Sequence, residues 1–126
     1  MNKELLDRLK SLEIEDMIWI ILICIIVLSF YANNLKRDFL INKNELSKEK
    51  YRKLTIIIFS TALLVYLYYY NDSKKGYKNL KQTDSEKKRI NTTLSYIASI
   101  LILVAGIIFV YIAITDTELD IELAYN

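Results

Sequence analysis

Residues 17–35, 54–71 and 90–115 contain no Asp, Glu, Lys or Arg, although these four types make up 25% of the chain. That segregation constrains the fold more than any motif does. The hydrocarbon core of a bilayer is about 30 Å thick, and a helix rising about 1.5 Å per residue crosses it in roughly 20 apolar residues. Each stretch meets or nearly meets that length. Inside lipid every backbone N–H and C=O must find its partner within the protein, so the stretches read as helices. This includes the β-branched run at residues 55–58, which in water would suggest a strand. The expected fold is an all-α membrane protein, with three transmembrane helices in a small bundle forming a single domain over residues 1–126. Pro is absent and Gly occurs only at positions 76 and 106, which suits long unbroken helices. Heavy use of Ile, Lys, Asn and Tyr points to an AT-rich, bacterial genome, and the expected location is the cell membrane.

The flanks of these stretches carry finer signals. Leu5, Leu6, Leu9 and Leu12 recur at helical spacing, and are read as a helical lead-in to the first span. Glu13, Glu15 and Asp16 stand where a signal peptide would be basic, so the first span is expected to be retained. Trp19 suits one membrane interface, and Tyr66, Tyr68, Tyr69 and Tyr70 suit another as an aromatic belt, with a partner-binding aromatic surface as the alternative. Residues 38–53 read as a polar connection in which Asn42, Asn44 and Ser47 are candidate helix N-caps. Gly76 reads as a stop or turn, and Thr83 with Glu86 matches a capping box that would open the third helix.

The third span carries the clearest packing signal. Ser95, Ser99, Gly106 and Ala113 follow one helical face, with Ile102 and Phe109 filling the steps between them. Small residues let helix backbones approach closely, which is how helices associate where lipid removes the hydrophobic driving force. This face is therefore predicted to be buried against another helix, of this chain or of a partner.

Basic residues normally remain on the cytoplasmic side. The chain has three Lys or Arg in residues 1–16, seven in 36–53, seven in 72–89 and none in the acidic tail, residues 116–126. Three spans place ten basic residues on the N-terminal side against seven on the other. The balance favours a cytoplasmic N-terminus and an external C-terminus. Local asymmetry disagrees, because each basic loop on its own reads as cytoplasmic. A re-entrant middle segment would reconcile the two, but its midpoint, Ser60, Thr61 and Ala62, lacks the Gly or Pro expected at such a break.

No Asp, Glu, Lys, Arg or His lies within the three stretches, which weighs against a proton-coupled pump or transporter. There is no His and one Cys, so zinc or haem sites built on His or paired Cys are excluded within a single chain, and no cofactor is expected. A hydroxyl nucleophile would have no base beside it at membrane depth. The expected class is a non-enzymatic interaction protein, an accessory or self-protection (immunity-like) factor working by helix packing. Its expected partners are the lipid bilayer and either another membrane protein or a second copy. The alternative is a small holin-like pore former.

Overall fold

In the computed structural model, which describes residues 2–119, the chain is helical in three long elements: α1 (Lys3–Asn42), α2 (Glu45–Lys78) and α3 (Glu86–Thr115). By length and composition each is long and apolar enough to cross a membrane. At about 1.5 Å per residue they run to roughly 60, 50 and 45 Å, so each exceeds a hydrocarbon core of about 30 Å. Except after Thr115, where α3 ends with its uncharged stretch, charged flanking residues extend the helices.

Local chemistry explains the ends. Asn2 caps α1 by accepting from the Leu5 N–H at 2.8 Å, and the four leucines that follow are exposed on a helix continuous with the first apolar stretch. α1 closes at Lys43, which takes a left-handed conformation (φ 54°) and donates its N–H to the Phe39 carbonyl at 2.8 Å. Asn44 then opens α2, its side-chain oxygen accepting from the Leu46 N–H at 3.1 Å. Within residues 38–53 only Lys43 and Asn44 lie outside the helices, so most of the connection expected there is helical.

α2 passes unbroken through Ser60, Thr61 and Ala62, where a re-entrant segment would turn. It also passes through Gly76, which has an ordinary helical φ and stops nothing. The helix ends two residues later, with Lys75 and Lys78 in its last turn, where positive charge suits the helix dipole.

The expected capping box is displaced. Ser85, and not Thr83, caps α3 by accepting from the Lys88 N–H at 3.2 Å. The reason is the neighbouring Asp84. Its carboxylate accepts from the Lys81 N–H at 2.9 Å, and its own N–H donates to the Lys81 carbonyl at 3.1 Å. That turn leaves Ser85 as the first residue free to cap.

The chain divides into two compact units, Met1–Leu54 and Thr55–Asn126, with the boundary inside α2. Among the described residues no side chain of any size is fully enclosed, and large apolar residues stand exposed on all three helices. In α3, Ile97, Leu101, Val104, Ile108 and Tyr111 form one such face. Contiguous apolar exposure on this scale is foreign to a water-soluble monomer.

Candidate functional site

Within the second unit, α2 and α3 run antiparallel and meet along a seam. Phe59 stacks on Phe109, with ring centroids 5.6 Å apart. Leu63 and Tyr66 lie over Gly106. Tyr70 approaches Tyr96 at 6.0 Å, and Tyr77 stacks on the same ring at 5.0 Å. Ser73 and Ser95 bring their Oγ atoms to 3.5 Å, and Gly76 faces Thr92.

Gly106 is a point of close approach. A Cβ built there would stand 2.7 Å from Tyr66 Cδ2 and 3.2 Å from Leu63 Cδ1, so any side chain would displace the ring. At Gly76 the same construction meets only Thr92 Cγ2 at 3.7 Å, an ordinary van der Waals contact. One glycine is required by the close approach of its neighbours; the other is not.

The small residues of α3 are not equivalent. Ser99, Gly106 and Ala113, spaced seven apart, are its buried positions, whereas Ser95 is exposed at the seam's edge. Ile102 is 44% exposed and does not fill a step. Seven residues are nearly two full turns, so 99, 106 and 113 stay in line, but a step of three departs from that line by about 60°. Phe109 does reach α2, because Phe59 is large enough to meet it. The Ser99 hydroxyl donates to the Tyr96 carbonyl at 2.7 Å in its own helix. Ser29 and Thr61 likewise donate to the carbonyls of Ile25 and Ile57.

The tyrosines separate by helical face. Tyr66 and Tyr70, one turn apart, contact α3, while Tyr68 and Tyr69 bring their rings within 6.0 Å of each other. Trp19, in the first unit, is exposed.

In the first unit, Asn42 and Ser47, candidate caps in the sequence, lie inside α1 and α2 and act as donors to Asp38. At the turn between α1 and α2, Asp38 accepts hydrogen bonds from the Ser47 hydroxyl, from Asn42 Nδ2 at 2.7 Å and from Asn44 Nδ2 at 2.9 Å. These donors, Ser47 foremost, hold the carboxyl below its usual range. In the same unit, the buried Lys36 places Nζ 5.6 Å from the Tyr51 ring centre, and Lys48 stands 5.2 Å from that of Phe39. The available signal was an acid in a basic stretch, followed at four, six and nine residues by Asn, Asn and Ser. In the second unit Asp84 is likewise held low, first by the Lys81 N–H and further by Lys88.

Among the described residues, no three of His, Cys, Asp and Glu are grouped so as to hold a metal ion. Cys24 is a free, exposed thiol. No family model, curated protein or solved structure matches the chain.

Proposed function

We propose that the chain is an integral, three-span protein of the cell membrane that acts without chemistry of its own, as an accessory or self-protection factor working through helix packing. The observation that carries this reading is the seating of Tyr66 on Gly106. Two apolar helices are joined there by shape, a contact that supplies geometry and no reactive group. Ser29, Thr61 and Ser99 support it, because their hydroxyls donate to carbonyls of their own helices.

Since α2 of the same chain occupies the Gly106 face, a partner would meet the outer faces instead. The exposed α3 face bearing Ile97, Leu101 and Ile108 is open to lipid, to another membrane protein or to a second copy. An unbroken α2 that crosses once would put the two basic turns on opposite sides. The excess of basic residues then favours a cytoplasmic N-terminus and an external C-terminus.

Carbonate washing of membranes should leave the chain in the pellet, and its release would overturn the integral assignment. Overexpression in a bacterium should leave the membrane potential intact; its collapse would favour a pore former. Fusions at Asn126 to a reporter that needs an oxidising environment should be active, and activity only in cytoplasmic reporters would reverse the orientation.

A further inference from the structure

An open groove of about 860 Å³ lies between the end of α2 and the first turns of α3, within the second unit. Its lining changes character along its length. Lys78, Lys81 and Arg89 supply three positive charges against the single acid, Glu86, while Ile90 and Leu94 supply an apolar wall. All five of these basic and apolar side chains are exposed, apart from the walls they share. The change occurs between Arg89 and Ile90, where the charged flank gives way to the uncharged stretch.

We infer that this groove binds an anionic phospholipid, its phosphate among Lys78, Lys81 and Arg89 and its acyl chains along Ile90 and Leu94. Complementarity at both ends selects this occupant. A soluble anion would use the cations and leave the apolar wall wet, and a zwitterionic lipid would bring its own cation into a site already positive. Each Lys or Arg near a membrane surface adds to the attraction for anionic lipid. The inference rests on the membrane reading above, and carbonate washing tests that reading separately.

The experiment uses the full chain, purified in mild detergent with equal phosphatidylglycerol and phosphatidylcholine, and native mass spectrometry to count retained lipid. The wild type should keep phosphatidylglycerol selectively. The triple variant Lys78→Gln, Lys81→Gln, Arg89→Gln should lose at least about tenfold of that retention. Lys43→Gln, Lys50→Gln, Lys53→Gln removes the same charge from the first turn and should change retention less than about twofold. The single variant Lys81→Gln lies outside the helices and should give an intermediate loss, which keeps the test independent of α3 folding. Equal losses in the two triple variants, displacement by millimolar inorganic phosphate, or no preference over phosphatidylcholine would each overturn the inference.

Discussion

The two units each join a pair of helices, and they do it by different chemistry. At the turn of the first unit, one carboxylate gathers three side-chain donors, and lysines lie near aromatic rings. Along the seam of the second, aromatic rings pack on one another and on a glycine backbone. The difference follows from the surrounding sequence. The turn lies among charged residues, where a carboxylate stays ionised and can be strongly solvated or strongly bonded. The seam runs from Phe59 to Tyr70 within the uncharged stretch of α2, where an unpaired polar group is costly and close packing is the available source of cohesion, and continues past it through Ser73, Gly76 and Tyr77.

Spoiling the seam should have the largest effect on the second unit and leave the first turn intact. Gly106→Leu forces a side chain into space held by Tyr66 and should destabilise the pair by about 1–3 kcal/mol, the usual cost of overpacking. Ile107→Leu, at an exposed neighbouring position, should be nearly silent. Thermal aggregation in detergent compares them directly, and equal behaviour would mean that the seam contributes no cohesion.

A polar contact in the second unit gives the next effect. Ser85→Ala removes the α3 cap and should cost about 1 kcal/mol, whereas Thr83→Ala should cost little. The reverse ranking in thermal unfolding would restore the capping box at Thr83.

The glycines provide a finer contrast with opposite signs. Gly76→Ala should stabilise by roughly 0.5–1 kcal/mol, because a helical glycine is replaced where a methyl fits. Gly106→Ala should destabilise, because its methyl would meet the Tyr66 ring. A loss of stability at position 76 would show that the contact with Thr92 is tighter than 3.7 Å implies.

The smallest effect belongs to the first turn and to acid. Asp38 has a folded pKa below its unfolded value, so its hydrogen bonds contribute stability that is present above the ordinary carboxylate range. That contribution is lost as pH falls through the folded pKa, beginning below about pH 4. Side-chain amide signals of Asn42 and Asn44, which donate to Asp38, should shift in that window, backbone signals around Gly106 should not, and Asp38→Asn should abolish the side-chain shift. Matching titration at both places would erase the distinction between the units.

Several local features were legible because their causes are local. The uncharged stretches marked the apolar middles of α1, α2 and α3, since exclusion of charge from lipid acts residue by residue. Their ends were less legible, because amphiphilic flanks such as Leu5 to Leu12 can extend a helix into water without altering the charge pattern. Thr83 and Ser85 are both competent caps, and only the turn made by Asp84 chose between them.

Three helices, two basic turns and a small-residue line on α3 follow from neighbouring positions and helical periodicity alone. Packing alone puts Tyr66 over Gly106, turns Ile102 outward and brings Asn42, Asn44 and Ser47 to Asp38. Those outcomes depend on which surfaces meet and at what register. A glycine permits close approach without naming what approaches, and a carboxylate invites donors without fixing which side chains the turn will bring to it.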